Sequence, residues 1–164
     1  MLQQQEVRWQ AKIQRIKDDL EEIKGKDFGA LSNTEFRLLV RLLERSLADT
    51  DDLYSSIAIK QDEQRDTRNS YYALCLSSAV GLGVTVLRWY VLHDYGLAAA
   101  DKWLLGVSAG AELLAGGTSF YLGWEYNQEV QRFGALLNEA LQISTQMHYY
   151  YDLLDREQQN RDEQ

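Results

Sequence analysis

Ser108, Glu112, Ala115 and Ser119 stand at i, i+4, i+7 and i+11 in an otherwise apolar stretch, "WLLGVSAGAELLAGGTSFYLGW" (residues 103–124). At about 100° per residue they form one stripe of a helix, polar or small throughout. A carboxylate flanked by hydroxyls can hold a cation, and rings of acids about an axis are how some pores select cations. Ser108, Glu112 and Ser119 are therefore the candidate pore-lining residues. The structural alternative is that Glu112 joins helices, through a hydrogen bond to Ser108 or the preceding apolar segment, or through a pair with Arg88. Arg88 also suits a snorkelling anchor, its stem along apolar surface and its head in water.

A second stripe on the same stretch carries Gly106, Gly110, Leu113 and Gly117. Gly106 and Gly110 make a GxxxG, and Ala79 and Gly83 give the preceding apolar segment a small-xxx-small surface of its own. Small residues let helix backbones approach closely in lipid, so these five positions are the expected helix-packing sites.

The remaining reactive side chains form no constellation. Cys75 is the single cysteine. It reads as a buried thiol or a palmitoylation site near a membrane boundary. His93 and His148 have no partners at metal-ligand spacing. No phosphate-cradling glycine loop, nucleophile elbow or zinc-protease motif occurs. An enzyme, a cofactor and a metal site are not expected. The run Tyr149–Tyr151 covers most of a helix circumference, which implies packing on more than one side.

The elements that must carry these residues are helices. There is no proline in 164 residues, where average usage would give about eight, and proline is the strongest helix breaker. Residues 2–24 place Leu2, Trp9, Ile13, Ile16, Leu20 and Ile23 on a 3-4 spacing, with polar Glu6 filling the one gap, a heptad seam. "GKDFGALSN" breaks it, near residues 25–32. "SNTE" (Ser32–Glu35) is a capping box that opens a second helix with a stripe of Leu38, Leu39, Leu42, Leu43, Leu47, Leu53 and Ile57. The polar run "KQDEQRDTRN" contains no breaker, and the helix is expected to pass through it. A second seam follows residue 125, with Val130, Phe133, Leu137, Ala140, Ser144, Met147, Tyr151 and Leu154 on a 3-4 spacing, and a frayed end, "DREQQNRDEQ".

Between these polar regions lie two long apolar segments, Tyr71–Leu87 extended to Leu92, and Trp103–Trp124, joined by a short turn near Asp94–Lys102. Each is long enough as a helix to cross about 30 Å of hydrocarbon, and tyrosines and tryptophans mark their ends as interfacial belts do. The expected fold is all-α. Residues 1–70 form a cytoplasmic region of two helices, 71–124 a transmembrane helical hairpin, and 125–164 a cytoplasmic coiled-coil helix. Lys60, Arg65 and Arg68 precede the first span, while the loop offers Lys102, so both termini are expected in the cytoplasm of a multi-pass protein. The polar N-terminus argues against a cleaved signal peptide. The formal net charge of −8, with basic residues scattered among acids, excludes a nucleic-acid binder. The expected partners are the bilayer, other copies of the chain in a homo-oligomer, and an upstream sensor or partner protein.

Residues 111–143, "AELLAGGTSFYLGWEYNQEVQRFGALLNEALQI", resemble the small two-transmembrane modules of bacterial conflict systems. The cyanobacterial TRADD-N-associated membrane domain is the nearest in pattern, and the SLATT effector families are similar in layout. Glu112, Gly116, Gly117, Phe120, Tyr126, Asn127 and Gln128 carry the likeness, which extends over roughly residues 71–143 and departs at "QISTQMHYYYDLL". The resemblance implies a membrane-perforating or signalling effector of a defence system. Two functions are thus expected from the sequence. One is an oligomeric pore-forming or channel-like effector. The other is a non-conducting membrane scaffold that recruits partners through the seams centred on Ile13, Ile16 and Leu20 and on Phe133, Leu137 and Met147.

Overall fold

A computed structural model describes residues 2–93 and 99–162. It is all-helical, with no strand among the described residues: α1 (Leu2–Lys24), a 3-10 turn (Phe28–Ala30), α2 (Asn33–His93) and α3 (Ala99–Asp162). The core of the expected connecting turn, residues 94–98, lies outside the described set, as do the side chains of Leu2 and His93.

The break between α1 and α2 has local causes. Gly25 N donates to Glu21 O at 3.2 Å, and the Asp27 carboxylate accepts from Gly29 N at 3.2 Å, turning the chain out of α1. The Ser32 amide donates to Glu35 Oε2 at 2.9 Å, and the Glu35 amide donates to Ser32 Oγ at 3.3 Å. This is the reciprocal capping box read from the sequence. The Ser32 hydroxyl also donates to Glu35 Oε2, at 2.6 Å. These bonds to the charged form hold the Glu35 carboxyl below its usual value. With no breaker after Ser32, α2 continues for 61 residues, through the polar run.

The chain divides into two compact units, Met1–Lys60 with Phe133–Gln164, and Gln61–Arg132. Residues 61–70 and 125–132, expected with the flanking helices, pack within the second unit.

The first unit is a bundle of α1, the start of α2 and the end of α3. Lys12 pairs with Asp49 at 3.3 Å and the Ser46 hydroxyl donates to Asp19 at 2.8 Å, setting α1 antiparallel to α2. Lys17 pairs with Glu139, and Trp9 meets Phe133 edge to face at 5.7 Å, setting α1 parallel to α3. Trp9, Ile13, Ile16, Leu20 and Ile23 are all buried, as the heptad spacing predicts.

Two seams follow the expected phase and differ at particular positions: on α2 the expected Leu39, Leu43, Leu53 and Ile57 are buried, with Leu42 and Leu47 packed beside them. On α2 the buried line is Phe36, Leu39, Leu43, Ser46, Thr50, Leu53 and Ile57, whereas Leu38 is 59% exposed. An apolar-only reading misses this line because it passes through two hydroxyls. Both are satisfied, Ser46 by Asp19, and Thr50 by donating to Ser46 O at 2.7 Å with the Met147 sulfur 3.8 Å away. On α3, Phe133, Ala140, Met147 and Leu154 are buried as expected. The intervening positions are Leu136 and Ile143, with Tyr150 packed on the core, rather than Leu137, Ser144 and Tyr151. Leu137 is part-buried beside them. Because α3 touches two neighbours, its contact stripe is broader than a two-stranded seam.

Within the end expected to fray, Arg161 is held in place. Arg161 donates to Phe28 O at 2.6 Å, to Asn33 Oδ1 at 3.1 Å and to Glu157 at 3.3 Å, and lies 4.7 Å from the centre of the Phe36 ring.

Candidate functional site: a polar seam in an apolar hairpin

The second unit pairs α2 and α3 antiparallel. Gln61 Nε2 donates to Val130 O at 3.2 Å, Arg68 donates to Asn127 Oδ1 at 3.1 Å, and Tyr71 stacks on Tyr126 at 5.5 Å. Toward the other end, the hydroxyls of Thr85 and Ser108 lie 3.4 Å apart. Along α3 the residues turned toward α2 are Leu105, Ala109, Glu112, Gly116, Ser119, Gly123, Tyr126 and Val130, an unbroken alternation of steps of four and three.

This unit is inverted relative to a water-soluble pair of helices. The inward seam holds Glu112, Ser119, Ser78 and Thr85, while Leu74, Leu76, Val80, Val84, Leu87, Val107, Leu113, Leu114 and Phe120 are exposed. A soluble monomer rarely presents so large a contiguous apolar surface. Among the described helices, one stretch, within Asn33–Val91, is long and apolar enough to cross a membrane, and 6% of it is buried inside the protein. The second expected span falls short of that measure. Glu112, three hydroxyl residues and five glycines dilute its apolar content.

The expected pore-lining residues separate. Glu112 is half-buried and Ser119 is buried, both on the seam with α2. Ser108 is exposed at its margin and reaches Thr85. The Glu112 carboxylate lies directly over Gly81: a Cβ there would fall 2.5 Å from Oε1. Among the described residues, no hydrogen bond or ion pair joins Glu112 to Ser108 or to Arg88.

The glycines also divide unexpectedly. A Cβ added at Gly83, Gly106, Gly110 or Gly117 would meet nothing within 4 Å, and Ala79 is exposed. The five expected packing positions therefore lie off the contact within this chain, and Gly106 borders a shallow cleft of about 190 Å³ beside Trp89 and Lys102. The close approach is made at Gly81, at Gly116, where an added Cβ would lie 3.3 Å from Ser78, and at Gly123, where it would lie 2.7 Å from the Tyr72 ring. The signal that could have found them is the heptad step from Gly116 to Gly123, in phase with Glu112 and Ser119.

Sequence reading also missed a polar layer where the unit begins. Gln61, Gln64, Arg68, Asn127 and Glu129 gather there. Gln64 is buried, and its Oε1 and the Glu129 Oε2 are shielded from solvent without a hydrogen-bond partner. Cys75 is half-buried with a free thiol. No cluster of His, Cys, Asp and Glu able to hold a metal occurs among the described residues. Comparisons with models of protein families, with characterised proteins and with solved structures found no match.

Proposed function

We propose that this chain is an integral membrane protein whose hairpin crosses the bilayer twice, with both termini in the cytoplasm, and which acts as an oligomeric pore-forming or channel-like effector. The observation that carries the reading is the inversion of the second unit, apolar outside and polar along its inner seam. In lipid that arrangement is favourable. The outward leucines and valines meet acyl chains, and Glu112 and the seam hydroxyls of Ser78, Thr85 and Ser119 are kept from hydrocarbon, where a charge costs about 2.5 kcal/mol or more. Trp89, Tyr90 and Trp103 lie at one end of the hairpin, and Tyr71, Tyr72, Trp124 and Tyr126 at the other. From Tyr72 to Tyr90 the helix rises about 27 Å at ~1.5 Å per residue, close to the thickness of a hydrocarbon core. The α3 leg, less apolar alone, is carried across by its seam with α2.

Conduction would require assembly, because a single hairpin encloses no lumen. The stripe of Gly106, Gly110 and Gly117, where an added Cβ would meet nothing within 4 Å, is the surface on which copies would approach. Opening the seam would turn Ser108, Glu112 and Ser119 toward a shared axis. The likeness of residues 111–143 to conflict-system membrane modules supports a role in bacterial defence, with an upstream sensor as trigger. Cation flux from liposomes containing the purified protein tests this. The wild type is expected to conduct, and Glu112→Gln and Glu112→Ala to lose cation preference. A protein that stays monodisperse without detergent would remove the membrane reading altogether.

A specific observation favours a second reading. Glu112 and Ser119 face α2 of their own chain, as expected of residues that only join the two legs. The protein would then be a non-conducting anchor whose three-helix bundle recruits partners. Wild-type liposomes that are silent while cross-linking still captures oligomers would select it.

A further inference from the structure

We propose that Gly81 is the positioning residue for Glu112: the space left by its missing side chain stows the carboxylate between the two legs, and the hairpin in this form is the closed state of the acidic stripe. A Cβ at position 81 would lie 2.5 Å from Glu112 Oε1, 2.7 Å from Cδ and 3.0 Å from Oε2. The carboxyl carbon and both oxygens thus occupy the place a side chain would take, and any residue other than glycine there displaces them. At Gly83, two positions along the same helix, an added Cβ would meet nothing within 4 Å. The niche therefore belongs to one position and is not a general lack of bulk on α2.

Shape, and not a counter-charge, sets where the carboxylate sits. Either side of Gly81 the seam of α2 carries Ser78 and Thr85, both half-buried and uncharged. Among the described residues no hydrogen bond or ion pair joins Glu112 to Ser108 or to Arg88. Hydrocarbon lies outside the seam and is costly for a charge, so the glycine niche is the place the packed legs leave open. The group in the niche is the far end of a flexible side chain, which changes rotamer readily. Filling the niche consequently moves Glu112 and leaves the legs together, whereas the Tyr72 ring over Gly123 has no such freedom. This inference rests on the membrane reading above and names the regulation of its acidic stripe: Glu112 reaches a shared lumen only when it leaves Gly81.

The test is carboxylate labelling of the full chain in phosphatidylcholine vesicles, read by mass spectrometry, with a water-soluble and a lipid-soluble carbodiimide in parallel. Wild-type Glu112 is expected to resist both reagents, while Glu125, exposed on α3, reacts with the water-soluble one. Gly81→Ala is expected to raise Glu112 labelling about tenfold, the population change that an ordinary overpacking penalty produces, and Gly83→Ala to leave it at the wild-type level. A gain with the water-soluble reagent supports the proposal and releases Glu112 into a water-filled lumen. A gain with the lipid-soluble reagent alone supports the stowing role and removes the pore reading, so the two fail separately. Wild-type Glu112 that reacts as fast as Glu125, no gain in Gly81→Ala with either reagent, or an equal gain in Gly83→Ala overturns the proposal. The wild-type labelling does not depend on any variant folding.

Discussion

Replacing Gly123 with alanine separates the contact that closes the hairpin from the helix propensity of the residue itself. A Cβ at Gly123 would lie 2.7 Å from Tyr72 Cε1 and 2.8 Å from Cδ1, inside van der Waals contact with a ring that cannot bend away. The legs must part or the ring must leave its rotamer, and overpacking of this kind costs about 2 kcal/mol. Alanine also gains about 1 kcal/mol over glycine in a helix, so the net loss is about 1 kcal/mol. Gly117→Ala adds the same methyl to the same helix, where nothing lies within 4 Å, so only the propensity gain remains. The difference between the two variants is therefore about 2 kcal/mol, and in that difference propensity cancels. Sodium dodecyl sulfate titration of micellar protein, followed by helical circular dichroism, gives both midpoints. If the variants shift the midpoint in the same direction and agree within about 0.5 kcal/mol, the Tyr72–Gly123 contact does not hold the hairpin together.

Phe133→Ala removes a buried ring that meets Trp9 edge to face. It is expected to destabilise the bundle by about 3–5 kcal/mol, measured by thermal melting of the detergent-solubilised chain. Arg161→Ala is expected to cost about 2 kcal/mol, because the Phe28 carbonyl loses a charge-assisted donor and the Phe36 ring its cation; faster amide exchange over residues 28–36 would report it. The Ser32 bonds lower the Glu35 carboxyl, so their contribution is present above the ordinary glutamate value and fades as pH falls through the lowered one. Amide protection factors at the start of α2, taken relative to the intrinsic exchange rate at each pH, should therefore fall in acid, and Ser32→Ala should flatten that dependence.

The residue pattern alone was enough for α1, whose Ile13, Ile16, Leu20 and Ile23 recur at heptad spacing and whose end is marked by Gly25 and Asp27. It was enough for the start of α2, because the Ser32–Glu35 box is local chemistry. It also located two apolar legs with a carboxylate on the second, because composition and helical period reside in neighbouring residues. The choice between adjacent stripes was made only by tertiary packing. Gly106, Gly110 and Gly117 form as regular a line as Glu112, Gly116, Ser119 and Gly123, and periodicity cannot rank two lines of small residues. The side facing α2 is settled by how Tyr72, Ser78 and Gly81 fit against them. In the same way the α3 seam passes through Leu136 and Ile143 rather than Leu137 and Ser144, because two helices, not one, press on it. At the far end of the bundle α3 returns to the start of α2, where Arg161 meets Phe28 and Asn33. That meeting joins residues more than a hundred positions apart, and no local pattern encodes it.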